Sequence, residues 1–180
     1  MSTEPATASA DALDTGRIFK ECAPYAWRVL RRLGVPEADI EDVCQEVFVV
    51  VHRKLPEFEQ RSSVKTWVYG ICVRTVSDYR KRMGRRREVV TDEPPEQVST
   101  FDPQREYSVR QARLQLDRVL DSLDEDKRSV FVLYEIEQLA MNEVAQAVGC
   151  PVQTAYSRLH AARALVTASV KQLNEGSAAR

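Results

Sequence analysis

Apolar residues in this chain return every three or four positions throughout, and no run sustains the apolar–polar alternation and turn signals of a β-hairpin. That periodicity restricts the fold to all-α. Glycine and proline divide the pattern into two helical halves. The first predicts helices over about 17–33, ending at Gly34 before Pro36; about 37–54, ending before Pro56; and about 63–83, ending at Gly84. Asp39, Glu41 and Asp42 favour the positive N-terminus of the second of these. Pro94, Pro95 and Pro103 then stand among acidic and small residues, a linker composition. The second half predicts helices over about 105–122, 125–136, 141–148 and 152–173, with Asp124 placed to cap the one beginning at Glu125. The expected architecture is two small helical domains, 17–87 and 107–173, joined by an acidic linker at 88–106. A disordered lead (1–16) and a frayed tail (174–180) flank them.

Composition narrows the function classes. With 43% hydrophobic and 29% charged residues in 180, the chain can bury an ordinary core. Its longest apolar runs, such as "VFVVV" at 47–51, are far too short to span a bilayer, and the N-terminus lacks the basic and apolar stretches of a signal peptide. Cys22, Cys44, Cys72 and Cys150 sit singly, and there are only two histidines. Buried reduced thiols in a cytoplasmic protein are therefore expected, with no metal, cofactor or redox role. The net charge of −1 conceals segregation. Residues 74–87 carry +6, from Arg74, Arg80, Lys81, Arg82, Arg85, Arg86 and Arg87 against Asp78. Residues 88–106 carry −5. Such blocks mark interaction surfaces or tails more often than core.

"NEVAQAVGCPVQTAYSRLHAARALV" (142–166) has the form of a helix-turn-helix: a short helix with small Ala145, Gly149 as terminator, and Pro151 near the next helix start. Ala155, Leu159, Ala162 and Val166 share one face of the longer helix; Gln153, Tyr156, Ser157, His160 and Ala161 gather opposite, flanked by Arg158 and Arg163. A helix in a major groove suits that pattern, its arginines meeting phosphates. A plain helical hairpin with a polar outside fits the same spacing.

In "KTWVYGICVRTVSDYRKRMGRRR" (65–87) the expected buried stripe is Val64, Val68, Ile71, Cys72, Thr75 and Tyr79, with Trp67 at its border. Thr66, Tyr69, Arg74, Ser77, Arg80 and Lys81 are expected largely on the other side, a cationic track that could follow a nucleic-acid backbone and stack on unpaired bases. A solvated helix end is the simpler use of such arginines, although so dense a cluster repels itself unless it meets an anion. In "DIEDVCQEVFVVVHRKL" (39–55) Ile40, Val43, Val47, Val50 and Val51 are expected inside. Glu41, Asp42, Gln45, Phe48, Val49 and His52 are expected outside, where carboxylates beside an exposed phenyl would make a docking face for a protein. This reading requires Phe48 to point outward. Asp42 and Glu46 could be imagined as catalytic carboxylates, but no nucleophile, ligand set or convergent histidine accompanies them, so no enzyme is expected.

In this order, "DIEDVCQEVFVVVHRKLPEF", "KTWVYGICVRTVSDYRKRMGRRR" and "EVAQAVGCPVQTAYSRLHAAR" resemble a bacterial RNA polymerase sigma factor of the extracytoplasmic-function (ECF) type, over about residues 17–173. The resemblance implies sigma region 2, a linker and sigma region 4, and a subunit that directs core polymerase to promoters. It implies that Asp42, Gln45, Glu46, Phe48 and Val49 dock on the β′ clamp helices, the β subunit being a further contact. It implies that Glu59, Gln60, Arg61, Ser62 and Ser63 capture a flipped base of the −10 element, and that Thr66, Trp67, Arg74, Ser77, Asp78 and Lys81 hold the melted strand. Gln153, Tyr156, Ser157, Arg158, His160, Ala161 and Arg163 would serve the −35 duplex. An anti-sigma factor is a further implied partner. Arg74 stands where many relatives have asparagine, and Tyr156 and Ala161 where basic residues are frequent, which weakens phosphate attraction. Ala140 replaces a frequent Ser or Thr cap, at a cost of about 1 kcal/mol. The competing function is a conventional regulator that binds duplex DNA through 141–166 and has no evident use for the 39–55 outer face.

Overall fold

The computed structural model describes residues 14–87, 111 and 114–178, and among them every regular element is helical. Of the expected lead over 1–16, residues 1–13 lie outside the described residues, as does the acidic linker at 88–106, whereas Thr15 and Gly16 already belong to the first helix. Helix α1 (Thr15–Arg32) is followed by a single 3-10 turn (Glu37–Asp39), α2 (Ile40–Lys54), a second such turn (Leu55–Glu57) and α3 (Val64–Arg87). Residues 114–121 form α4. Then come α5 (Glu125–Phe131), widening into a π turn (Val132–Ile136), α6 (Met141–Val148) and α7 (Val152–Ala178).

The ends of these helices follow from local chemistry. Ser63 Oγ accepts from the Thr66 amide at 3.0 Å, capping α3. Asp124 Oδ1 takes the Lys127 amide at 2.9 Å, as expected for the start of α5. Gly34 ends α1 at φ +92°, with Val35 N–H donating to Leu30 O and Gly34 N–H to Arg31 O, a Schellman arrangement. Gly149 ends α6 at φ +72°. Two expected ends move. α3 runs through Gly84 to Arg87: an interior glycine costs a helix only about 1 kcal/mol, too little to stop it. α7 runs to Ala178, because the expected tail is mostly residues compatible with helix.

α1, α2 and α3 pack against one another, as do α5, α6 and α7. The expected buried stripes hold over most of their length: Val68, Ile71, Cys72, Thr75 and Tyr79 of α3 are buried, as are Ala155, Leu159 and Ala162 of α7, while Val64, Val166 and Val50 of α2 are only half-buried. The halves are also joined. α3 lies along α6, and one apolar cluster runs from Ile18 to Ala162 through both. A Cβ built on Gly70 would sit 3.3 Å from the Ala147 carbonyl oxygen and 3.4 Å from its Cα, so a larger residue there would need the two backbones to move apart by a few tenths of an ångström or more.

Candidate nucleic-acid and protein interfaces

On α2 the structure overturns the outward Phe48 that the docking reading required, while Asp42, Gln45 and Val49 of the same face remain open. Asp42, Gln45 and Val49 are exposed; Glu46 is half-buried, turned to Arg82, which donates to both its oxygens at 2.9 and 2.8 Å. Phe48, expected outside, is 7% exposed. It sits on the same side as Cys44 and Val47, where it meets Phe19 of α1 edge-on with ring centroids 4.7 Å apart. The exposed aromatics on this side come from α1 instead: Phe19 at 50% and Trp27 at 37%. With Ala23, Pro24, Cys44, Glu41 and Gln45 they line a shallow groove of about 550 Å³. Sequence reading missed it because the groove is shared between two helices, although Phe19 and Trp27 lie eight residues apart, on one face of α1.

The 58–63 loop and α3 hold the expected strand-binding residues. Glu59, Gln60 and Arg61 are exposed, Ser62 is half-buried and Ser63 caps the helix. Gln60 adopts φ +54°, a left-handed backbone uncommon outside glycine, and Arg61 pairs with Glu59 at 2.5 Å. Trp67 is half-buried, its ring centroid 4.7 Å from that of Phe58. Arg74, Asp78 and Lys81 are exposed and Ser77 half-buried.

Two residues expected on the open side of α3 are inside. Thr66 is 1% exposed and Tyr69 0%. Thr66 Oγ1 donates to Glu143 of α6 at 2.8 Å, and Glu143 also accepts from the Ala140 amide at 3.1 Å, the one half of a capping box open to an alanine N-cap. Tyr69 donates from its hydroxyl to Glu137 at 2.8 Å, and Glu137 pairs as well with Arg32 of α1. Burial raises the Tyr69 phenol pKa, and the Glu137 bond raises it further, so the hydroxyl stays a neutral donor.

Two arginines of the cluster find partners within the protein, Arg82 with Glu46 and Arg80 with the region around the end of α1. Arg80 donates to the Leu33 carbonyl and pairs with Glu125 at 3.7 Å. Arg128 of α5, 6% exposed, donates to Arg32 O at 2.6 Å and to Asp121 at 2.8 Å. Burial lowers the Arg128 pKa, against the opposing pull of Asp121.

On α7 the expected outer face is open. Gln153, Tyr156 (49%), Ser157 and His160 are exposed, and Ala161 is half-buried. Arg158 pairs with Asp126 at 2.5 Å and Arg163 with Glu135 at 2.7 Å, so each flanking cation would exchange an internal carboxylate for any phosphate it met. Cys22, Cys44 and Cys72 are buried, and burial raises their thiol pKa values, which keeps them protonated. Among the described residues no group of three potential ligands could hold a metal ion, and no helix is long and apolar enough to cross a membrane.

Residues 18–86 match the family model for Sigma-70 region 2, and residues 113–166 that for Sigma-70 region 4. The ECF RNA polymerase sigma-E factor of Escherichia coli K12 is 32% identical over 149 residues, 77% of this chain and 78% of that protein. The chain belongs to the ECF sigma factors. The sigma-E factor of Haemophilus influenzae is 30% identical over 148 residues, with 77% and 78% covered. Two solved structures share the fold. CnrH in complex with the cytosolic domain of CnrY gives a TM-score of 0.66 at 23% identity, covering 88% of each chain. The sigma factor RpoE in complex with the anti-sigma factor NepR from Bartonella quintana gives 0.68 at 20%, covering 87% of this chain and 96% of that one. As an ECF sigma factor the chain is an alternative sigma subunit directing transcription initiation. The competing reading, a free-standing duplex-binding regulator, leaves the region 2 match without a role.

Proposed function

We propose that this sigma factor divides its labour among three surfaces. Asp42, Gln45 and Val49 of α2, with Phe19 and Trp27 of α1, dock on the β′ clamp helices of core polymerase. The 59–63 loop and α3, through Trp67, Arg74, Ser77, Asp78 and Lys81 and through Thr66 once it is uncovered, hold the opened −10 strand. Gln153, Tyr156, Ser157 and His160 read the −35 duplex, with Arg158, Ala161 and Arg163 beside the backbone. The protein acts in the cytoplasm, performs no covalent chemistry itself, and answers to an anti-sigma factor, a reading supported by the anti-sigma complex among the similar structures.

The observation that carries this reading is the phase of α7. Ala155, Leu159 and Ala162 are sealed inside while Gln153, Tyr156, Ser157 and His160 stand clear, leaving hydrogen-bonding groups facing solvent just after the Gly149 turn. The test is promoter selection with reconstituted holoenzyme. His160→Ala should change −35 base preference, whereas Arg163→Ala should weaken binding on all sequences alike and lower the salt slope by about one. Unchanged preference in His160→Ala would remove α7 as the reading helix.

A further inference from the structure

α7 is the helix assigned above to the duplex, yet its cations are already engaged. Among the described residues it carries Arg158, Arg163 and Lys171, and each meets a carboxylate of the same chain. The Lys171 partner is Glu175, one turn further along α7 at 3.9 Å. The other two partners come from outside the helix. Asp126, in the first turn of α5, accepts from Arg158 Nη2 at 2.5 Å. Glu135, in the π turn, accepts on Oε1 from both Nε and Nη2 of Arg163, each at 2.7 Å. The Tyr134 ring lies against the same guanidinium, its centre 5.7 Å from Arg163 Cζ. Tyr156 and Ala161 add no charge to the outer face.

The geometry of these pairs governs how the helix meets DNA. The Nε–Nη2 edge of an arginine is one that takes a phosphate in a two-point contact. On Arg163 that edge is filled by Glu135. A phosphate must displace the carboxylate or share the guanidinium with it, and sharing sets two anions side by side. Phosphate contacts supply affinity without sequence information. What the carboxylates remove is therefore the sequence-independent part of binding. All four residues belong to the second half of the chain, where α5 packs on α7, so the pairing needs no contact with the first half.

Resting on the reading of α7 as the duplex helix, we infer that Asp126 and Glu135 tune its grip on DNA: each stands in for a phosphate on Arg158 or Arg163 and lowers affinity for every sequence alike. Gln153, Ser157 and His160 then decide a larger share of the binding. Asp126 and Glu135 are positioning residues that act through the two arginines.

Asp126→Asn and Glu135→Gln, made in the full-length chain, remove the charge at nearly constant shape, and circular dichroism establishes that each variant keeps its helices. Fluorescence anisotropy reads affinity for a duplex of randomised sequence and for one carrying the −35 sequence that the holoenzyme selects. Exposed ion pairs are worth a few-fold, so each variant should bind both duplexes about threefold more tightly, and the two together about tenfold. Each pair stands or falls on its own variant. Arg158→Gln and Arg163→Gln backgrounds separate a specific partner from a general loss of negative charge. The gain from Asp126→Asn or Glu135→Gln should vanish where its own arginine is gone; a gain that persists there belongs to the overall field and overturns the inference. A gain confined to one of the two duplexes overturns it too. Unchanged or weaker binding in the carboxylate variants, with Arg163→Gln weakening it as expected, overturns the inference alone. Duplex binding unmoved by Arg163→Gln removes the role given to that flank of α7, and the inference with it.

Discussion

α3 and α7 carry similar sequence signatures, an apolar stripe, a hydroxyl-bearing outer side and flanking arginines, yet the structure treats them differently. α7 presents Tyr156, Ser157 and His160 to solvent. The N-terminal part of α3 is enclosed on two sides, by α1 and α2 through Val68, Ile71 and Cys72, and by α6 at Thr66 and Gly70. The lesson is that a polar group on the nominal outside of a helix is free only if no second layer arrives. Thr66 and Tyr69 could be covered because Glu143 and Glu137 satisfy them; a hydroxyl buried without a partner would have opposed the contact.

The contrast between covered and open positions can be tested on neighbouring residues. The largest effect is expected on α2, where Phe48 is sealed and Val49 is open. Phe48→Ala should cost about 3–5 kcal/mol in denaturant unfolding. Val49→Ala should stay within about 0.5 kcal/mol, its effect confined to polymerase binding. Equal costs would contradict the burial difference. Next comes one substitution made on each cationic helix. Tyr69→Phe deletes the donor to Glu137 and should cost about 1 kcal/mol, whereas Tyr156→Phe should leave the melting midpoint unmoved. The smallest effect concerns Asp124, whose loss as a cap should cost about 1 kcal/mol at neutral pH. Its hydrogen bonds with Lys127 hold its carboxyl below the ordinary value of 3.8. The stabilisation is thus present above that pH and fades as the pH falls through the lower folded value. The gap between wild type and Asp124→Ala should close in acid. A gap that persisted with the carboxyl protonated would assign the effect to packing.

Periodicity was enough to read the helices, their order and the inward stripes of α3 and α7, because each is a property of one segment. What escaped was relational. Phe48 looked exposed because its position was judged against one stripe of α2, whereas α1 packs widely enough to cover the next row and supplies Phe19 and Trp27 as the open aromatics instead. Tyr69 escaped because its cover lies in the other half of the chain. A signal did exist: Gly70, a weak helix former in the interior of a long helix between a tyrosine and an isoleucine, marks close approach by another backbone. A second lay in Glu143, three residues after Ala140, where a carboxylate can cap its own helix and still reach outward.

The Schellman turn at Gly34 leaves the Arg32 and Leu33 carbonyls to outside donors, and those donors are Arg128 and Arg80. One of the two belongs to the opposite half. A fragment stopping at Arg87 would carry a first helix whose final turn has been robbed of a guanidinium, and it would unravel from that end sooner than the same helix in the intact chain. Thermal data from an isolated amino-terminal piece would understate how firmly the whole protein holds its first helix.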